Sequence, residues 1–184
     1  NVFVVGSVGN SQPLAGLTVT QTNGIGFFSP VDVTDSNSGT ITLTDTQDNI
    51  LIIFTDVVAD NFVTAAQGYN LRLLGNTTIA NAVTFQNTGT LELGDATSDT
   101  FTFNGGVTEN TSGTVTIDGA IVSSNDTISF GNILLGQNLS MTSAGGAISI
   151  GTIGAASGSR DVTITSTGGS ANTVAVGAIG GSTS

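Results

Sequence analysis

A six-residue unit, Ile128-Ser129-Phe130-Gly131-Asn132-Ile133, recurs as Ile148-Ser149-Ile150-Gly151-Thr152-Ile153 and as Val174-Ala175-Val176-Gly177-Ala178-Ile179. Each copy reads apolar, small, apolar, glycine, polar or small, apolar. Apolar side chains at every second position belong to a strand buried on one face. The central glycine has no Cβ, so the strand can bend there. Strand, glycine and strand together predict the corner of a coil on which the rest of the chain stacks.

Simpler apolar-x-apolar triplets extend this pattern along the chain. One series runs through Leu71-Arg72-Leu73, Leu91-Glu92-Leu93, Val115-Thr116-Ile117, Leu139-Ser140-Met141 and Val162-Thr163-Ile164. A second series falls between its members: Val83-Thr84-Phe85, Phe101-Thr102-Phe103, Ile128-Ser129-Phe130, Ile148-Ser149-Ile150 and Val174-Ala175-Val176. Residues 71–179 therefore read as about five coils of roughly 20–27 residues, which is solenoid spacing. The first seventy residues are less regular, but Leu17-Thr18-Val19, Val31-Asp32-Val33 and Ile41-Thr42-Leu43 repeat the triplet. The whole chain, 1–184, is expected to be one all-β unit: a parallel β-helix (β-solenoid) of about eight coils. Connections between parallel strands are nearly always right-handed, so the coil is expected to be right-handed too.

Turn chemistry sits between the triplets, at Asn87-Thr88-Gly89, Asn104-Gly105-Gly106, Ser112-Gly113, Ala144-Gly145-Gly146, Ser157-Gly158 and Gly168-Gly169. Asparagines at such corners can hydrogen-bond to their counterparts above and below. Residues 55–68 allow a helix capped by Thr55 or Asp56, with Val58, Phe62 and Ala66 on one face and Gly68 as its stop. The Val, Thr and Asn content of the stretch favours a strand pair in register with the coils instead.

Charged residues are 8% of the chain, against roughly 25% in ordinary globular proteins. The branched and aromatic residues that fill the triplets separate this low charge from that of a disordered tract. Net charge is −11, and Arg72 and Arg160 are the only basic residues. Two arginines cannot build the cationic face that nucleic acid or an anionic membrane requires, so neither is expected as a partner. Cysteine and histidine are absent, which removes disulfides, thiolate metal sites and the commonest general base. No run of residues is long and apolar enough for a spanning helix, so no membrane insertion is expected. Asn1 follows no methionine, which suggests a processed product or an excised segment. The abundance of Thr, Asn and Gly with little basic charge fits an extracellular protein of the bacterial surface.

The acidic residues could carry two kinds of chemistry. Asp32 with Asp35, Asp45 with Asp48, Asp56 with Asp60, and Asp95 with Asp99 are the pairs that calcium could use. Calcium needs about six to eight oxygens from a compact loop, and no calcium-loop motif is present. Solvated corner carboxylates are the simpler reading, and no metal or cofactor is expected. Glycoside hydrolysis needs two facing carboxyls; Glu92 and Glu109 are the only glutamates, and Glu92 between two leucines should point outward. No enzyme is expected. Tyr69 and the nine phenylalanines read as core stacks, and the Thr, Ser and Asn faces as solvated strand surfaces that could also meet glycans.

Three phrases carry a family likeness: Ala65-Ala66-Gln67-Gly68-Tyr69-Asn70-Leu71-Arg72-Leu73-Leu74-Gly75, Val83 through Asp95 (VTFQNTGTLELGD), and Phe101 through Val107 (FTFNGGV). They resemble tandem repeats of giant bacterial exoproteins, the β-strand-repeat and filamentous-haemagglutinin-like β-solenoids of the cell surface. The resemblance implies a right-handed parallel β-helix with an adhesive or fibre-forming role, and it brings no catalytic or binding residues.

The segment Val2-Phe3-Val4-Val5-Gly6-Ser7-Val8-Gly9 echoes residues 174–180, as though the pattern would carry on if Ser184 were followed by another Asn1. No polar, charged or proline-bearing cap is visible at either end. An uncapped solenoid must pair its ends with another chain. The expected partner is the protein itself, stacked head to tail through Val2, Val4, Val5, Val8, Val174, Val176 and Ile179, as separate subunits or as tandem repeats. The alternative is an adhesin stalk that contacts glycans or cells. The inward-facing core is expected to hold Leu71, Leu73, Leu91, Leu93, Val115, Ile117, Leu139, Met141, Val162 and Ile164.

Overall fold

A computed structural model describes residues 1–168 and 173–180. Among these the chain forms strands and no helix, and every strand pairs with its neighbours in parallel. It opens with β1 (Val2–Val4) and a single bridging residue, Val8, followed by β2 (Gly16–Val19) and β3 (Ile25–Phe27). Two turns of three short strands come next: β4 (Val31–Val33), β5 (Thr40–Leu43) and β6 (Leu51–Phe54), then β7 (Val57–Ala59), β8 (Asn61–Thr64) and β9 (Asn70–Leu73). Two more are β10 (Thr77–Ile79), β11 (Val83–Phe85) and β12 (Leu91–Leu93), then β13 (Thr100–Phe103), β14 (Val107–Glu109) and β15 (Val115–Ile117). In the last three turns the second and third strands fuse across a corner: β16 (Gly119–Ser123) with β17 (Ile128–Leu135), β18 (Leu139–Ser143) with β19 (Ile148–Ala155), and β20 (Val162–Ser166) with β21 (Val174–Ile179).

These strands build a three-sided β-solenoid of about eight turns. Face one is the ladder β4-β7-β10-β13-β16-β18-β20, started by the Val8–Val31 bridge. Face two stacks β2, β5, β8, β11, β14 and the first halves of β17, β19 and β21. Face three stacks β1, β3, β6, β9, β12, β15 and the second halves of the same three long strands. The possible helix at 55–68 is instead the pair β7 and β8, in register with the coils.

The core follows from that register. Leu71, Leu91, Val115, Ile133 and Ile153 lie directly above one another on face three, all buried. Leu73, Leu93 and Ile117 form the adjacent column, and Phe101, Ile121 and Met141 one on face one. Each fully buried aliphatic or aromatic side chain stabilises the fold by about 1.5–3 kcal/mol. Seven of the phenylalanines and Tyr69 are inside; the rings of Phe27 and Phe54 stack 4.7 Å apart. Eight of the ten expected core residues are buried, and Val162 and Ile164 are partly buried because they lie in the last turn.

Two expectations are corrected. The triplets do not form two alternating series, because there are three faces. Leu139-Ser140-Met141 and Val162-Thr163-Ile164 belong to face one, with Phe101-Thr102-Phe103, whereas Val115 lies beneath Ile133 on face three. A triplet buried on one side has the same pattern on every face, so periodicity cannot assign it. Nor are all nine phenylalanines internal. Phe3 and Phe28 are exposed, their rings 5.8 Å apart on the outside of the first turns.

The corners need small residues for closeness. Gly131, Gly151 and Gly177 occupy the bend of β17, β19 and β21 and stack one above another; a Cβ on Gly177 would lie 2.3 Å from the Gly151 carbonyl oxygen. At Gly151 and Gly177 crowding by the turn below, not an unusual φ, requires glycine, whereas at Gly131 the nearest atom is Glu109 Oε2 at 3.1 Å. The Gly169 half of the expected Gly168-Gly169 turn lies outside the described residues.

Candidate functional site at the coil ends

Within a parallel ladder each inner strand satisfies its backbone through neighbours on both sides. β1, Val8 and β2 have a partner on one side only, as do β20 and β21 at the other end. Such edges present free N–H and C=O groups that can template a further strand.

The same columns that are dry in the middle are open at these edges. On face three, Ile153 is 2% exposed, whereas Ile179, paired directly above it, is 65% exposed. Val174 and Val176 continue the column positions of Ile148 and Ile150, the first exposed and the second partly buried. At the start of the chain Val2 and Val4 continue Ile25 and Phe27; Val2 is 54% exposed and Val4 is partly buried against the core. Val8 sits on face one beside Val31, also partly buried. Val5 stands apart from these columns. It lies at a corner, 78% exposed, and its carbonyl accepts a hydrogen bond from Ser29 Oγ at 2.8 Å.

The two similar segments take different corners. Residues 2–8 pass from face three to face one, whereas 174–179 pass from face two to face three. Ser184, expected to precede a following Asn1, lies outside the described residues.

The absence of a charged cap reaches further along the chain than the terminal strands. All thirteen acidic residues and both arginines fall between Asp32 and Asp161. Residues 1–31 and 162–184 hold no charged side chain, on a chain of net charge −11. Depletion of charge is what the centre of a protein interface shows.

The acidic side chains of the middle turns have structural partners. Asp60 Oδ2 accepts the backbone N–H groups of Asp35 at 2.8 Å and Gly39 at 2.9 Å, a turn below. Asp45 Oδ2 accepts from Thr22 N–H at 2.6 Å and Thr22 Oγ1 at 2.9 Å. Asp118 Oδ1 accepts from Gly136 and Gln137, both at 2.7 Å, and Asp99 Oδ2 from Asp95 and Ala96, both at 2.9 Å. These carboxylates tie corners to backbone. Of the four sequence pairs, only Asp95 with Asp99 is joined by such a bond, from the Asp95 backbone. Asp32 accepts from Thr34 Oγ1 at 2.9 Å and Asp56 from Asn76 N–H at 3.0 Å, while Asp48 is exposed. Among the described residues, no group of three or more acidic side chains converges.

Glu92 points outward on face three and pairs with Arg72 at 2.6 Å. That hydrogen bond raises the guanidinium's already high pKa. Glu109 closes the corner after face two, accepting from Thr111 Oγ1 at 2.6 Å and Gly131 N–H at 2.9 Å. The two glutamates thus serve different faces. Compared with known proteins, the chain matches no family model, no curated protein and no solved structure.

Proposed function

We propose that this chain is a structural unit of an extracellular bacterial filament or sheath, stacked head to tail on like units through its end turns. The observation that carries this reading is the coincidence of open strand edges, uncovered apolar columns and absent charge at both ends of an otherwise acidic rod. Parallel ladders have polarity, so the lower edge of one unit is matched by the upper edge of another. A contact between two different surfaces does not close on itself and gives a filament. The likeness of its phrases to β-strand-repeat and filamentous-haemagglutinin-like exoproteins supports the cell-surface setting. It also allows the units to be tandem repeats of one long chain. About eight turns at roughly 4.8 Å each give a rod near 40 Å long.

Sedimentation and electron microscopy of the purified chain test the proposal. Filaments that grow with concentration are expected. The exposed Val2 and Ile179 can be changed without touching the buried core, so Val2→Asp with Ile179→Asp should keep the circular dichroism and melting of the single unit yet stop its association. Parent chains that remain monomers at high concentration would overturn the reading.

A further inference from the structure

We infer that successive copies are related by a rotation of one third of a turn, so that β1 of one copy sits on β20 of the copy before it. This rests on the head-to-tail reading above and adds its geometry. The polypeptide climbs one face at a time. Among the described residues there are twenty-one strands, three of which serve two faces, and with the bridge at Val8 they make twenty-five face segments. Twenty-five is eight complete circuits of three faces and one face over. The odd segment is β1, which lies on face three before the first face-one position at Val8.

The consequence is a staircase whose steps meet in one way. The uppermost segment is the second half of β21, on face three, so the next open step lies above face one, along β20. Among the described residues the lowest segment is β1. With β1 placed on that open step, Val8 falls over the first half of β21 and β2 falls over its second half. Every free edge then gains a partner. The inward columns also match, with Val2 and Val4 over the Val162 and Ile164 strand, Val8 over Val174 and Val176, and Leu17 and Val19 over Ile179.

Stacking in the same orientation instead places β1 over β21 on face three. It leaves a gap one strand deep above faces one and two, stranding the backbone groups of β20 and of the first half of β21. Residues 181–184, Gly-Ser-Thr-Ser, contain no apolar side chain to extend a column. No charged side chain lies within either mating turn to oppose the rotation. The filament should therefore advance by roughly 40 Å and turn by about 120° for each copy.

The chain has no cysteine, so introduced thiols report the seam without background. Phe3, Asn1, Thr163 and Ala178 are all exposed. Phe3→Cys with Thr163→Cys places thiols on β1 and β20, which meet only in the rotated stack. Asn1→Cys with Ala178→Cys places them in line with the Val2 and Ile179 columns, which meet only in the unrotated one. With a short bis-maleimide, the first variant should give a covalent ladder of dimers, trimers and longer species, and the second should not. A ladder from the second variant alone, or filaments with no ladder from the first, would overturn the rotation and leave head-to-tail stacking standing. Monomers throughout, by sedimentation of the parent chain, would overturn both.

Discussion

Leu93 offers the most direct test of how this coil is held together. Its side chain is fully buried, with Leu73 and Ile117 directly below and above it in the column, both also fully buried. Leu93→Ala removes three carbons from the middle of a stack whose neighbours cannot close over the gap. They are pinned by backbone ladders at roughly 4.8 Å spacing, a distance fixed by hydrogen bonds and not by side-chain size. Across known sites the cost of such a truncation spans about 2–5 kcal/mol, rising with the cavity that remains. Here the pinned column keeps it clear of the bottom of that range, at about 3–4 kcal/mol. For a chain of this length that corresponds to a drop in melting temperature of roughly 6–16 °C. The control is Thr116→Ala on the strand above. Thr116 pairs with Glu92 and points outward, so its change should stay within about 1 kcal/mol. Urea unfolding followed by circular dichroism measures both. A Leu93→Ala curve that coincides with the parent, beside a large shift for Thr116→Ala, would show that the inward face had been assigned upside down.

The Tyr69 phenol donates to the carbonyl oxygens of Leu43 and Ala65 at 3.2 and 3.3 Å, and burial pushes its pKa from 10.0 up to about 12. A raised phenol pKa means that the folded state favours the neutral form. Its contribution, up to about 2–3 kcal/mol, is therefore complete below pH 10 and disappears as pH climbs toward 12. Tyr69→Phe should flatten the loss of stability over that range; an unchanged alkaline decline would refute this. Asp60→Ala orphans the N–H groups of Asp35 and Gly39 and should cost about 2–3 kcal/mol in urea unfolding, against no more than about 0.5 for the exposed Asp48→Ala. Equal shifts would remove the corner-clamp role.

The period-two alternation of apolar residues was enough to read strands, parallel stacking and inward columns from the sequence, because a coil buried on one side leaves no other place for Leu93 or Ile117. The number of faces was hidden for the same reason. Val115-Thr116-Ile117 and Leu139-Ser140-Met141 have the same pattern but stand on different sides. Loop lengths do not separate them, since one residue divides β7 from β8 while a six-residue corner divides β4 from β5. Sequence proximity pairs Asp60 with Asp56, yet its partners are the backbone of Asp35 and Gly39, a full turn away. Hydrogen bonds across turns have no fixed sequence offset when corners vary in length. The uncharged ends could be read directly, from where Asp32 and Asp161 fall.

What a neighbouring copy would contribute can be judged from the turns that already have one. Ile153 and Ile179 hold the same column position, and the difference in their exposure is the difference between having and lacking a turn above. Covering Ile179, Val174 and Val2 recovers about 1–3 kcal/mol for each side chain. The strand edges add backbone hydrogen bonds, each worth about 1 kcal/mol net. Against this stands a cost of roughly 4–15 kcal/mol for immobilising one free copy on another. A single seam between separate chains would then be only modestly favourable, and the length of the proposed fibre would depend on concentration. Tethering units in one polypeptide replaces that cost with a much smaller one set by the linker. The same apolar edges, free of charged side chains, would serve either proposed arrangement: reversible growth from free subunits, or a permanent rod when copies follow one another along a chain.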